Sequence, residues 1–443
     1  MKIWEKNIST NKKIEEFTVG DDTYYDQFLA PYDVIGSLAH IKMLNKIGLL
    51  EDVEYLALRA ELKNIYAQIK SGEFQISDDV EDIHSMIEWL LTQKLGDTGK
   101  KIHAGRSRND QVLVDLHLMF RDEIQEISQL IKVFFEQLIA LAEEHKDQLM
   151  PGYTHLQAAM PSSFGLWFSA YAENLADDLV IWQAALQKVD QNPLGSGAGY
   201  GTSLPLNRSM TTELLGFKTL AFNVVHAQMD RGRSELFLSF ALAATANTLG
   251  KLAMDVCLYN SQNFGFIKLD DAFTTGSSIM PHKKNPDVFE LIRAKCNLIA
   301  QLPGVIAGAF GFLPSGYHRD FQLLKEKIFP ALREIKSCLD IATLALKNIH
   351  VKEDLLSDEK YRLIFSVEIV NDLVKSGVPF REAYQKVAQD IQNGTFTAPK
   401  NIDHTHEGSL GNLCLAEIKQ KFTKAFNSLD FTYVPKIEAL VSP

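Results

Sequence analysis

The chain is poor in the residue patterns that several common chemistries need. It has only four cysteines in 443 residues. Cys257, Cys296, Cys338 and Cys414 lie far apart and form no Cys-x-x-Cys pair. That argues against a disulfide framework or thiolate metal centre, and buried reduced thiols are expected instead. His40, His84, His103, His117 and His226 show no metal-ligand spacing, so no metal or other cofactor is expected. Positive charge is in deficit: 45 Lys and Arg face 56 Asp and Glu, a formal net charge of −11. No general basic field covers nucleic-acid phosphates, and an anionic substrate has to be held by a local cluster. No run of about eighteen apolar residues occurs, which argues against a membrane span. Met1 to Thr10 mixes Lys2, Trp4, Glu5 and Lys6 and lacks an apolar signal-peptide core, so the cytoplasm is the expected compartment. Convincing alternating strand pairs, low-complexity tracts and clear repeats are also missing. Gly195-Ser196-Gly197-Ala198-Gly199-Tyr200-Gly201 is glycine-rich. Without a preceding strand and a surrounding βαβ unit it is not a dinucleotide loop, and a flexible helix connection close to substrate is expected.

What the chain does have is helix pattern. Hydrophobic residues make up 46% and charged residues 23%, an ordinary globular balance. From 123 to 149, Ile124, Ile127, Leu130, Ile131, Phe134, Phe135, Leu138 and Leu141 recur at three- and four-residue steps, one face of a helix. Phe164 to Val189 and Leu236 to Tyr259 are apolar on more than one face and need partners on several sides. The reading is an all-α chain with a central helical bundle that is also buried between subunits. Punctuation divides it into an N-terminal helical domain at 1–106, a central bundle at 107–350 and a small helical domain at 351–443. The turn at Gly96-Asp97-Thr98-Gly99 and the breaks at Gly377-Val378-Pro379 and Gly408 fall in the outer two.

Four polar islands interrupt the helices, where an all-helical protein has to place its chemistry. Gly105-Arg106-Ser107-Arg108-Asn109-Asp110-Gln111 sets two guanidinium groups before a helix start. Arginine forks and helix N–H groups suit carboxylates, yet this segment alone reads more readily as an N-cap, Ser107 or Asn109, with solvated arginines. Gly152-Tyr153-Thr154-His155-Leu156-Gln157 offers a histidine in a tight turn, either surface decoration or an oriented acid or base. Thr274 to Asp287 carries Gly276, Ser277, Ser278, Lys283, Lys284 and Asn285 and leads into a helix with Glu290 one turn in. Asn285 suits an N-cap and Pro286 a first helical position. Its density of hydroxyls and ammonium groups exceeds that of a plain linker. Ser315-Gly316-Tyr317-His318-Arg319-Asp320 is followed by Gln322 and Lys325, three apart on one helix face, or simply an exposed helix start.

At these islands the sequence resembles the fumarase/aspartase superfamily of lyases. Gly276 to Asn285 is similar to that superfamily's long signature of glycine, two serines, methionine, proline, lysine and asparagine. Within it, the argininosuccinate lyase and delta-crystallin branch fits best. Ser107 to Gln111, Gly152 to Gln157, the paired Lys283-Lys284, the run Asp82-Ile83-His84 and the spacing of Tyr317, Gln322 and Lys325 match that branch. The resemblance runs from about Tyr25 to the final helices. It implies three mainly helical domains, a homotetramer with a shared helical core, and active sites drawn from three subunits. The implied reaction is elimination of fumarate from argininosuccinate to give arginine, without a cofactor. It also implies roles. Ser277 is the base, activated by Lys283 and loop N–H groups, and Lys283 and Asn285 hold the reacting carboxylate. His155 is the acid or proton relay, supported by Glu290, and whether it or Ser277 takes the proton stays open. Arg108, Asn109 and Thr154 bind the fumarate-derived half, Ser278 also binds substrate, and Tyr317, Gln322 and Lys325 orient the arginine-derived half or its carboxylates. The chain departs from the branch after Trp4, in the glycine loop from Ala198 to Gly201, and at Asp22, where a substrate-contacting serine is usual. Thr18 or Thr23 is then expected to take that contact. The alternatives are another superfamily lyase such as an adenylosuccinate lyase, a non-catalytic delta-crystallin type, and a helical binding scaffold.

Overall fold

A computed structural model describes residues 12–77, 80–399 and 402–442. The departure after Trp4 lies outside them. Of the described residues, 66% are helical. Three long helices, Arg108–Glu144, Phe164–Val189 and Arg233–Tyr259, pack along one another and form the core with Asp287–Ile299 and Lys325–Leu346. Phe120, Phe134, Phe168, Leu175, Trp182 and Leu249 are wholly enclosed between them. The helix predicted from 123 to 149 begins earlier and ends sooner, at 108 and 144. Its start is fixed chemically. The Ser107 side chain accepts the Asn109 N–H, and the Asp110 carboxylate accepts the Ser107 N–H at 2.7 Å. This reciprocal cap satisfies donors that a helix start otherwise leaves open.

Arg233–Tyr259 is by length and composition apolar enough to cross a membrane, but two thirds of its most apolar window is buried among its neighbours, as in a core helix. A second apolar cluster joins Asp22–Lys46, Asp52–Ser71 and Ile83–Leu95 through Leu38, Leu58, Leu62, Ile87 and Leu91. A third, small cluster of Val370, Ala383, Val387 and Phe396 holds Ser366–Lys375 against Phe380–Gln392, on either side of the predicted break. Arg121 ties the C-terminal segment to the core. Its guanidinium sits 4.0 Å from the centre of the Phe217 ring and 4.1 Å from that of Tyr433, and bonds Asp190 at 3.2 Å.

Strand pairing, not expected from the sequence, does occur. Among the described residues there are three two-stranded sheets, and the longest is the antiparallel hairpin Leu149–Thr154 with Gln157–Ser163. Its polarity does not alternate cleanly because Pro151, Gly152 and a bulge at Gly152/Tyr153 interrupt it. The turn places His155 and Leu156 at φ 53° and 57°. Two consecutive left-handed residues match the twist of a tight hairpin, but the pair lacks the usual Asn-Gly signal.

Candidate active site

The polar islands divide into two groups in space. Arg108, Asn109, Tyr317, Gln322 and Lys325 converge on one cavity of about 150 Å³, which Asp22, Asp26, Glu81, Asp82, His84, Arg231 and Arg319 also line. Thr154, His155, Ser277, Ser278, Lys283, Asn285 and Glu290 do not line it. The cavity is smaller than the roughly 300–1,000 Å³ that ligand pockets commonly enclose.

Arg108 is the first residue of the 108–144 helix. Its guanidinium bonds Asp82 at 3.0 Å, Glu81 at 3.2 Å and the Ser85 hydroxyl at 2.6 Å. Asp82 is itself the cap of the Ile83–Leu95 helix, accepting the Ser85 N–H at 2.7 Å. Burial alone would raise the Asp82 carboxyl, but His84 and Arg108 outweigh it and hold it below the usual range. Beneath them His84 pairs with Asp33, and Asp115 lies 3.7 Å away. Burial works against charge on His84, but Asp33 and Asp82 raise its affinity for a proton. Asp33, His84 and Asp115 lie close enough to surround a cation by position, although Asp33 also accepts the Ser37 hydroxyl at 3.4 Å, and Arg106 donates to Ser37 at 2.9 Å.

Lys325 opens the 325–346 helix and is nearly enclosed. Its ammonium bonds Asp26 at 2.5 Å and also contacts Asp22. Burial would lower its pKa, but the two carboxylates raise it, so the lysine stays charged. Asp22 is raised by burial against the pull of Lys325. Neither Thr18 nor Thr23 lines the cavity, whereas Asp22 does. The Thr18 hydroxyl instead donates to the Ile14 carbonyl in its own helix at 2.9 Å. The Gln322 amide donates to the Val19 carbonyl at 2.7 Å, docking the Lys12–Val19 helix on this wall.

The second group stands outward. Thr154 and His155 are exposed at the hairpin tip, and Glu290 is exposed early in the 287–299 helix. The 274–287 loop is closed by a pair of backbone bonds, Thr275 N–H to Asn285 at 3.1 Å and Asn285 N–H to Thr275 at 2.8 Å. Asn285 therefore spends its backbone on the loop, and the helix begins two residues later, at Asp287. Inside the loop, the Ser277 hydroxyl oxygen accepts N–H bonds from Met280 at 3.2 Å and Ile279 at 3.4 Å. Ser278 and Lys283 are exposed on the same loop.

The glycine stretch is more ordered than a flexible connection. The buried Asp110 carboxylate accepts N–H bonds from Gly195 at 2.9 Å and Gly197 at 3.0 Å. Gln228 donates to Ser196 and to the Gly197 carbonyl, both at 3.0 Å. Sequence reasoning missed Glu81 and Arg231, and gave no role to Asp110 and Arg319, which lie inside the polar islands. Arg231 offered a signal: Glu235 lies one helical turn on, and the two pair at 3.1 Å while both are almost fully buried.

Long packed helices thus carry a charged cavity at their ends. The family model described as lyase matches residues 1–300. The chain is 56% identical over 437 residues to the argininosuccinate lyase of Bacteroides thetaiotaomicron, covering 99% of this chain and 98% of that one. It is 38% identical over 388 residues to the argininosuccinate lyase of Thermotoga neapolitana, covering 88% and 98%. The chain belongs to the argininosuccinate lyase family. Two solved structures share its fold. One is an EDDS lyase variant with bound fumarate, at TM-score 0.73 and 21% identity over 96% of this chain and 95% of that one. The other is a fumarate lyase:delta crystallin from Brucella melitensis, at TM-score 0.71 and 18% identity over 92% and 91%.

Proposed function

We propose that the protein eliminates fumarate from argininosuccinate and releases arginine. The observation that carries this reading is the convergence of Arg108, Asn109, Tyr317, Gln322 and Lys325, from islands more than two hundred residues apart, on one charged cavity in a chain of this family. The reaction needs a base for a weakly acidic C–H beside a carboxylate. A neutral serine is a poor base, so its alkoxide must be stabilised. Two backbone N–H groups aimed at the Ser277 oxygen supply part of that stabilisation, and the Lys283 ammonium on the same loop supplies the rest. Ser277 takes the proton from the carbon beside the reacting carboxylate. The electron pair moves onto that carboxylate, which Lys283 and Asn285 hold. As the C=C bond forms, the C–N bond breaks and the leaving guanidinium nitrogen receives a proton from His155, with Glu290 supporting the imidazole. Arg108, Asn109, Thr154 and Ser278 bind the fumarate-derived part. Tyr317, Gln322 and Lys325 bind the arginine part.

These roles require the outward loop and hairpin of one chain to meet the cavity of another. A homotetramer with shared sites supplies that meeting. It is supported by apolar side chains left open on the central helices, including Val180 at 54%, Phe240 at 51% and Leu298 at 75% exposure. The cytoplasm is the compartment we assign to it. Purified protein should release fumarate from argininosuccinate, and inactivity on it would overturn the reading.

A further inference from the structure

We propose that Asp22 is a specificity residue that binds the α-ammonium of the substrate's arginine part and exchanges Lys325 for it. The inference rests on the function proposed above and deepens it.

Among the described residues, the other cations around the cavity are matched by carboxylates. Arg108 is matched by Asp82 and Glu81, and Arg319 lies 3.6 Å from the same Glu81. Arg231 is matched by Glu235, which lies outside the lining. Lys325 is different: it is one ammonium facing two carboxylates. The two are not equivalent. Asp26 is held twice, by Lys325 at 2.5 Å and by the Ile83 N–H at 3.3 Å, and its side chain is only 3% exposed. Asp22 is paired with Lys325, and its side chain is 19% exposed on the cavity side. Asp26 alone suffices to neutralise Lys325. Asp22 then leaves one negative charge in excess where water is scarce and the field is poorly screened.

An amino-acid head group fits this arrangement, because it carries one cation and one anion on the same carbon. Its carboxylate takes the Lys325 ammonium, with Gln322 and Tyr317 alongside on the same wall. Its ammonium takes the Asp22 carboxylate that Lys325 gives up. Each charge keeps a partner before and after binding, so neither is stranded in the cavity. The guanidinium is the other cation of the substrate, but it adjoins the bond that breaks and lies at the opposite end of the arginine part.

The test compares argininosuccinate with its des-amino analogue, which lacks only the α-ammonium and keeps the guanidinium. Fumarate release is measured for the wild-type protein and for Asp22→Asn. A charge-assisted hydrogen bond is worth about ten- to one-hundred-fold in binding. Wild-type protein should therefore lose about that factor in kcat/KM on the analogue, mainly through KM. Asp22→Asn should lose it on argininosuccinate and handle the two compounds nearly alike. Equal handling of both compounds by the wild-type protein overturns the inference. So does full discrimination retained by Asp22→Asn. Absence of any release from argininosuccinate by the wild-type protein would instead sink the function on which the inference rests. The wild-type comparison needs no variant, so poor folding of Asp22→Asn does not blunt the test.

Discussion

Replacing Asp110 with alanine should cost both stability and activity. Three backbone N–H groups point at this carboxylate, from Ser107 at 2.7 Å, Gly195 at 2.9 Å and Gly197 at 3.0 Å. Stranding a buried donor costs about 1–3 kcal/mol, so the three together are worth roughly 6 kcal/mol. Part of this is offset. Burial pushes the Asp110 carboxyl up to about 6, against an ordinary value of 3.8. Holding the charge at pH 7 therefore costs about 3 kcal/mol, which alanine recovers. The net loss is about 3 kcal/mol. The sign with pH follows from the same shift. A carboxyl raised in the folded state binds its proton more tightly there than in the unfolded chain. Its contribution is greatest below about pH 4 and declines as pH rises towards 6. The assay is urea unfolding of wild type and Asp110→Ala at matched protein concentration, with amide exchange followed at 107–111 and 195–199. Both segments should exchange faster. kcat/KM should fall too, because the loosened helix start carries Arg108 and Asn109. A loss below about 1 kcal/mol with unchanged exchange would refute the reasoning.

Three other outcomes are expected. Ser277→Ala should lower kcat by about a thousand-fold at unchanged thermal stability, since the loop that holds it is closed by backbone bonds; near-normal turnover would remove the serine from the base role. Mixing Arg108→Ala with Ser277→Ala subunits, refolded together, should give activity above either parent, because the two residues occupy separate places on one chain; no recovery would argue for sites built within single chains. His117 sits buried between the Gln191 carbonyl at 2.8 Å and the Ser234 hydroxyl at 2.9 Å, and burial lowers it to about 4. Its neutral form contributes stability that is complete above about pH 6.5 and is lost as pH falls from there to 4, worth about 3 kcal/mol. Urea midpoints of His117→Asn should show a shallower decline over that range than those of the wild type, and parallel declines would contradict the assignment.

Helix pattern carried most of the fold. The residues at three- and four-residue steps from Ile124 to Leu141 do line the core, because burying that stripe is what stabilises the helix. The 149–163 hairpin escaped because a proline, a glycine and a bulge break its alternation, and because His155-Leu156 is an unusual pair for its turn. Within the cavity, Arg108, Asn109, Tyr317, Gln322 and Lys325 were found from polar clustering at helix starts and from family motifs. Asp82 and Asp22 lay at recognised family positions, but their pairing with Arg108 and Lys325, and the part played by Glu81, were not legible, because pairing partners are set by tertiary packing and carry no local pattern. Asp110 was hidden in the same way. It lies inside a recognised motif, but its carboxylate works on a loop 85 residues away. The glycine stretch read as flexible for lack of that distant acceptor.

The most direct measurement is fumarate release from the purified protein, followed by ultraviolet absorbance, with argininosuccinate and adenylosuccinate tested side by side. Release from argininosuccinate and none from adenylosuccinate is the expected result. Release from adenylosuccinate, or from neither compound, would contradict it.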